Sequence, residues 1–190
     1  YFIQAAAQLK GTTVELMKMG EPGVPEMNAY IEEVLKEGET LGFDGRVVSV
    51  GEGEGYAAIA GKKNAKVNYQ VDLIDEIWED RPVLSEEPAF NLDVKYAGET
   101  VASKLARIRE EMKEAGTNVH VVSTIDDICW TLNIRGNDID FFPLVLSYGI
   151  ITMDSFELYI DEKKLDDKLK AKLAKDGVNL HPYNDIYEDV

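Results

Sequence analysis

Residues 124–148 constrain the fold of this chain more than any other stretch. They contain one of the two tryptophans, the only cysteine and an Arg-Gly turn, and they lead into a nearly continuous apolar run. Ser123 or Thr124 can cap a short helix in which apolar residues recur at helical spacing. The turn-forming residues 133–138 end that helix. The apolar run 144–152 predicts a strand that is covered on both faces.

The pattern on either side of this segment alternates between helix and strand. Thr100 can cap a helix that Gly116 closes, and residues 156–160 form the second arm of a hairpin that turns at 154–155. A further helix and a strand follow. Residues 1–5 read as the middle of a strand, with a helix and a strand behind them. The sequence therefore predicts an α/β fold with two copies of a related unit.

A glycine-rich stretch, residues 51–55, invites two interpretations. Its spacing imitates half of a dinucleotide fingerprint, but Glu52 and Glu54 would repel a phosphate and no Lys-Ser/Thr pair closes the loop. We therefore expect a flexible turn that precedes a helix over residues 56–64.

Composition excludes several classes of function. The net charge is −16, from 36 acidic and 20 basic residues, which argues against nucleic acid and against an anionic membrane as partners. The single cysteine rules out an internal disulfide framework and suits a reducing compartment. No apolar run approaches the roughly 20 residues of a membrane span. The sequence predicts a soluble, cytoplasmic protein.

The residue types that usually carry catalysis are sparse. His120 and His181 are the only histidines, and no Cys-x-x-Cys or Gly-x-Ser-x-Gly pattern occurs. Adjacent carboxylates such as Asp126 and Asp127 point about 100° apart on a helix, so they do not build a metal site by themselves. Cys129 lies on the apolar face of the short helix and is expected to be a core residue. We predict no catalytic residue and no metal ligand in this chain.

Several motifs resemble the non-catalytic N-terminal domains of three-domain Xaa-Pro aminopeptidases, the aminopeptidase P family of metallopeptidases. They occur in the family's order along most of the chain. The motifs are Asp80-Arg81-Pro82, Lys104-Leu105 with Ile108-Arg109, and Asp126-Asp127-Ile128-Cys129-Trp130 with Asn133, Arg135-Gly136 and Asp138.

The resemblance implies two creatinase N-terminal-like units, each a mixed β-sheet flanked by helices, in a chain truncated at both ends. Residues 1–79 would be the C-terminal part of a first creatinase-like domain, 80–98 a linker, and 99–190 a second creatinase-like domain. The parent enzyme would remove the N-terminal residue from peptides with proline second. Two divalent metals, expected to be manganese, would lie in a C-terminal catalytic domain of which no ligand is found here. The resemblance also implies a homodimer, and this segment alone is expected to be inactive.

Three residues are candidates for the wall of a substrate channel: Arg135, Asn133 and Asp138. A guanidinium can pair with a substrate carboxylate or carbonyl, although Arg135 could instead pair internally with Asp138 or Asp127. Asn133 is expected to close the helix end, and Trp130 to lie in the core. Two other functions stay open. One is an inert interaction module like the histone-binding relative of this architecture in a chromatin chaperone, and the other is an oligomerisation domain.

Overall fold

A computed structural model describes residues 1–190, and the chain divides into two compact units, Tyr1–Arg81 and Pro82–Val190. Both units combine helices with β-strands, so the predicted α/β class is confirmed. None of the helices combines the length and the apolar character needed to cross a membrane.

The first unit is a short β-α-β arrangement with two further helices. Strands β1 and β2 are parallel, with Leu41 opposite Val67, and α3 connects them. A small core of Leu35, Ile59 and Ala60 lies under this pair. The sheet of this unit therefore has two parallel strands and is not mixed. The elements are α1 (Phe2–Gln8), α2 (Met27–Val34), β1 (Thr40–Gly42), α3 (Val50–Lys62) and β2 (Lys66–Asn68).

Two sequence predictions for this unit are wrong. Residues 1–5 are not a strand: Tyr1 precedes α1 and residues 2–5 belong to it, because an alanine-rich segment has high helix propensity. The glycine-rich stretch, predicted as a flexible turn, lies inside α3. Ser49 and Glu52 form a reciprocal capping box that starts this helix at Val50, before the predicted turn begins. Its apolar residues Tyr56, Ile59 and Ala60 are buried at helical spacing, which offsets the cost of the glycines.

The second unit is built on a four-stranded sheet in the order β4-β6-β7-β8. The pairs β4–β6 and β6–β7 are antiparallel and β7–β8 is parallel, so this sheet is mixed, and β3 and β5 form a separate antiparallel pair. Its elements are β3 (Phe90–Asn91), α4 (Val94–Ala97), α5 (Val101–Glu114), β4 (Val119–Val122), α6 (Ile125–Leu132), β5 (Ile134–Arg135), β6 (Tyr148–Thr152), β7 (Phe156–Tyr159), α7 (Asp167–Lys175), β8 (Val178–His181) and α8 (Ile186–Asp189), with 3-10 turns at Glu162–Lys164 and Tyr183–Asp185.

The main core lies on one face of this sheet. Phe156 and Leu158 from β7 are fully buried together with Leu105, Ile128 and Leu173 from the three longer helices. The opposite face buries a smaller cluster of Ile150, Tyr159 and Ile186. The hairpin register, with Ile151 opposite Phe156, agrees with the turn predicted at 154–155.

The strand predicted over residues 144–152 is regular only from Tyr148 onward. The preceding residues are extended and Val145 is fully buried, but their amide groups bond elsewhere. The N–H of Val145 donates to Cys129 Sγ, and that of Leu146 donates to the Asp138 carboxylate. This part of the apolar run is therefore held by side chains of the preceding segment instead of by a neighbouring strand.

Candidate functional site at the end of α6

The three candidate channel residues follow one another at the corner where α6 ends and β5 begins. Helix α6 carries Asp126 and Asp127 in its first turn, where the helix dipole favours carboxylates. It ends at Asn133, whose φ of 51° and ψ of 42° place it in the left-handed region that asparagine tolerates. The chain then enters β5, where Arg135 lies opposite Phe90 of β3. The left-handed residue thus turns the chain directly from the helix into the strand that carries Arg135.

The Asn133 side chain is buried and bridges two elements. Its Nδ2 donates to the carbonyl oxygen of Glu99 at 2.8 Å, and its Oδ1 accepts from Lys104 Nζ at 2.7 Å. The helix end itself is closed by the Asn133 backbone N–H, which is bonded to carbonyls of the last turn. Asn133 therefore fastens the end of α6 to the start of α5.

Lys104 is a lysine of α5 with 1% of its surface exposed. Its Nζ donates to the Trp130 carbonyl at 2.6 Å and to Asn133 Oδ1, and it lies 4.2 Å from the centre of the Trp130 ring. Burial lowers the pKa of Lys104 from its ordinary value, and the nearby Glu99 carboxylate opposes that shift. The ammonium joins the two helices through carbonyl oxygens and an aromatic face, without a direct carboxylate partner.

Trp130 is 42% exposed, so the prediction that it lies in the core is wrong. Two cations lie over its ring. One is the Lys104 ammonium, and the other is the Arg107 guanidinium, whose carbon lies 5.7 Å from the ring centre. Arg107 in turn donates to both carboxylate oxygens of Glu99, at 3.1 and 2.8 Å. The hydrogen bond from Arg107, with a second from Ser103, lowers the pKa of Glu99 to about 2.

Arg135 is held by main-chain oxygens. Its Nη1 donates to the carbonyls of Cys129 at 2.8 Å and Ile134 at 2.7 Å. The alternative of an internal pair with Asp138 or Asp127 is wrong, since neither carboxylate bonds to it. No hydrogen bond within the chain uses Nε or Nη2, and the residue is partly exposed. The two backbone bonds fix the guanidinium, and its remaining donors can form a fork that suits a carboxylate or a carbonyl.

The Asp138 side chain points into the protein, with 1% exposed. Its Oδ2 accepts from Lys164 Nζ at 2.5 Å and from the Leu146 N–H at 2.7 Å. Its Oδ1 is buried and has no hydrogen-bond partner. Of the three candidates, Arg135 alone keeps side-chain donors that no hydrogen bond within the chain uses, while Asn133 and Asp138 use their side chains inside the fold.

Two buried lysines organise this region, Lys104 and Lys164. From the sequence, Lys104 was named only as part of a family motif and Lys164 was not singled out, and neither was predicted to organise the site. Lys104 stands three residues after Val101 and four before Ile108, on the apolar face of its helix, and that position is the signal that could have found it. Lys164 lies in a short 3-10 turn between charged residues, where the sequence pattern carries no such signal. Both lysines became visible only through partners more than twenty residues away.

The chain holds no group of three or more histidine, cysteine or acidic side chains that could bind a metal ion. Cys129 is buried, and its pKa is raised by burial, which suits an inert core thiol. The residues present therefore do not fit a metal centre, and no metal-dependent step can be assigned to them.

A comparison with a protein-family model identifies the class of protein. A creatinase/prolidase N-terminal domain family model matches residues 80–190, which is more than half of the chain. The chain belongs to this family. Its mixed α/β architecture is the creatinase N-terminal fold, as the resemblance of the sequence motifs predicted.

Known proteins narrow the comparison to one group of peptidases. The chain is 37% identical over its full length to aminopeptidase P2 of Arabidopsis thaliana, of which it spans 27%. It is 35% identical over 98% of its length to the Xaa-Pro aminopeptidase app-1 of Caenorhabditis elegans, of which it spans 30%. The crystal structure of an X-prolyl aminopeptidase from C. elegans, described as a cytosolic enzyme with a di-nuclear active site, superposes with a TM-score of 0.90 at 34% identity. That match covers 99% of this chain and 31% of the neighbour.

Proposed function

We propose that this chain is the non-catalytic N-terminal region of a metal-dependent Xaa-Pro aminopeptidase, an enzyme that removes the N-terminal residue from peptides with proline second. The observation that carries the proposal is the match along the whole chain to enzymes of this kind, of which it spans less than a third. In the longer parent protein, residues 1–79 belong to a first creatinase-like domain, 80–98 connect the domains, and 99–190 form a second domain.

Hydrolysis in this proposal belongs to the part of the parent that lies outside the chain. The di-nuclear active site of the C. elegans neighbour supports two divalent metals there, and we propose manganese as their identity. The absence of a ligand set from the 190 residues supports an accessory role for them. The cytosolic character of the same neighbour supports a cytoplasmic location.

Arg135 is the residue that we assign to the substrate channel. Peptides with proline second demand a site that accepts the ring and orients the chain on either side of it, and a fixed cation can hold a peptide carbonyl or carboxylate. The remaining donors of Arg135, on a guanidinium fixed by two carbonyls, support this role. Asn133 and Lys104 act as positioning residues, because they tie the end of α6 to α5 and so place β5. Asp138 fixes the loop after β5, because its carboxylate accepts hydrogen bonds from the Leu146 N–H and from Lys164 Nζ.

A second role, contact between subunits of a homodimer, is supported by the edge strand β4. It pairs with β6 on one side only, and its Val119 and Val121 are 56% and 44% exposed. An exposed apolar edge strand without charged or proline residues is a natural place for another chain to pair. Sedimentation velocity on the parent tests this role, because Val121→Lys should shift a dimer toward monomer if β4 forms the contact and leave it unchanged if it does not.

The channel role is tested by steady-state kinetics of Arg135→Ala and Arg135→Lys in the parent with Xaa-Pro-Xaa peptides. Loss of a charge-assisted contact made to substrate should lower kcat/KM about 10- to 100-fold in the alanine variant, with partial recovery in the lysine variant. Arg107→Ala is the matched control, because its guanidinium is already engaged by Glu99. An Arg135→Ala enzyme with unchanged kcat/KM would refute the channel role.

A further inference from the structure

The loop between β5 and β6 presents two aromatic side chains to solvent. Phe141 is fully exposed and Phe142 is 60% exposed, at the tip of residues 137–143. We call residues 141–142 the aromatic tip. Adjacent exposed phenylalanines are unusual on a soluble surface, where aromatic residues are enriched mainly at contact sites.

The aromatic tip is held firmly. Ile139 and Phe142 form an antiparallel bridge, with the Phe142 N–H donating to the Ile139 carbonyl at 3.1 Å. At the base, the Asp138 N–H donates to the Leu144 carbonyl at 3.2 Å. Gly136 allows the two arms to approach, since a Cβ there would lie 2.7 Å from Val145 Cγ2. The buried pair of Asp138 with Lys164 then fastens the base of the loop to the 3-10 turn Glu162–Lys164. These contacts therefore hold the backbone of the aromatic tip in place.

The backbone at the tip is strained by its own residue type. Phe141 has a φ of 69°, in the left-handed region that asparagine and glycine occupy readily and that a bulky aromatic residue disfavours. Since the ring is fully exposed, no contact within the chain compensates for this conformation. Strain retained at an exposed position of a hydrogen-bonded loop indicates a function outside the chain.

We propose that the aromatic tip docks into an apolar pocket on the remaining part of the parent polypeptide, the part that carries the catalytic site. This inference rests on the proposed function. The chain spans 27% to 31% of the relatives described above, so most of such a parent is available as the partner. A partner on the same polypeptide is present at high effective concentration, and two aromatic anchors are then enough to hold a defined orientation.

The charges on the chain favour this partner over a second copy. Two copies that met tip to tip around a two-fold axis would bring their Asp140 residues together, because Asp140 directly precedes Phe141 in the loop. The docking pocket that fits this tip is apolar and has a cationic residue on its rim opposite Asp140.

The test compares one substitution in two contexts, the 190-residue chain and the parent. Phe141→Asn relieves the backbone strain and removes the ring. In the chain alone we expect the Tm to stay the same or rise by about 1–4 °C, because no contact is lost. In the parent we expect the Tm of the transition that includes this unit to fall by about 2–5 °C, because docking is lost. Phe142→Ser, at a residue without a positive φ, should lower the Tm in the parent only.

Tyr96→Ser is the matched control, since Tyr96 is a 73% exposed aromatic residue of the same unit. It should leave both Tm values unchanged. A Phe141→Asn effect of the same sign in both contexts would overturn the docking proposal. Sedimentation of the chain alone supplies another contradicting result, namely a dimer that Phe141→Asn dissociates, which would make a second copy the partner.

The docking proposal and the proposed function can fail independently of each other. A parent that hydrolyses Xaa-Pro peptides but shows no reversal of sign would retain the function and lose the docking. A parent that shows the reversal without such hydrolysis would retain the docking and refute the assigned function.

Discussion

The Asp138 carboxylate accepts a 2.5 Å hydrogen bond from Lys164 Nζ, and the two side chains are 1% and 2% exposed. This pair joins the loop after β5 to the 3-10 turn that follows β7. Both ions are buried, and leaving either of them without its partner would be costly. The pair therefore positions the loop only while both side chains are present. The loop geometry below Arg135 and the aromatic tip depends on it.

Asp138→Ala should therefore destabilise the chain by about 3–5 kcal/mol, because the Lys164 ammonium would be left buried without a counter-charge. Lys163→Ala is the neighbouring control, since Lys163 and its partner Glu86 are 71% and 55% exposed, and its cost should stay below about 1 kcal/mol. Urea unfolding measures both. Equal costs for the two variants would show that the buried pair does not hold the loop.

Gly149 in β6 has no space for a side chain. A Cβ there would lie 2.6 Å from the ring of Phe156, a buried core residue on the next strand. Gly149→Ala should cost about 1–3 kcal/mol by overpacking. In α3, where a Cβ at Gly53 meets nothing within 4 Å, Gly53→Ala should instead stabilise its helix by up to about 1 kcal/mol. Thermal unfolding of both variants checks this difference in sign, and a stabilising Gly149→Ala would contradict the packing of β6 on β7.

We expect the folded chain to lose stability in acid as Glu99 becomes protonated. Its pKa in the folded chain is about 2, below the ordinary value of 4.5, chiefly because Arg107 donates hydrogen bonds to its carboxylate. A lowered pKa of an acid stabilises the folded state above the ordinary pKa, and this contribution is lost as the pH falls from 4.5 toward 2. The difference in unfolding free energy between the wild-type chain and Glu99→Gln should therefore be largest above pH 4.5 and shrink below it. A difference that does not change with pH would contradict the assignment.

Lys104→Met tests the link between α5 and α6. Methionine can occupy the apolar path of the lysine stem, but the Trp130 carbonyl and Asn133 Oδ1 lose their donor, at a cost of about 1–3 kcal/mol. The exposed Lys113→Met on the same helix should change stability by less than about 0.5 kcal/mol. The fluorescence of Trp130, recorded in a Trp78→Phe background, should also change because the ammonium over its ring is removed. A Lys104→Met chain with wild-type stability and emission would exclude the link.

The regular elements with a strong local signal were predictable from the sequence. The cap at Thr100 is present, with Thr100 Oγ1 accepting from the Ser103 N–H, and the helix ends just before Gly116. The hairpin of β6 and β7 also follows from its turn residues. The glycine-rich part of α3 was missed because a capping box and buried residues outweighed the low helix propensity of glycine.

The side-chain partners in the candidate site were less predictable. The internal pair that the sequence left open for Arg135, with Asp138 or Asp127, does not form, because the turn at Asn133 directs its Nη1 to carbonyls of α6 and β5. Asp138 meets Lys164, 26 residues away, and Asn133 meets Lys104, 29 residues away. Such pairings depend on how distant elements pack, and no local pattern encodes them. The family motif located the corner, and the packing of α5 and the 3-10 turn decided what each residue contacts.

The most direct test of the account is hydrolysis of a Xaa-Pro-Xaa tripeptide with manganese, measured in parallel for the 190-residue chain and for its parent. We expect the parent to release the N-terminal residue and the chain alone to release none. Hydrolysis by the chain itself would contradict its non-catalytic role, because it would require a catalytic site within these 190 residues. A metal-loaded parent without activity would contradict the assignment to an Xaa-Pro aminopeptidase.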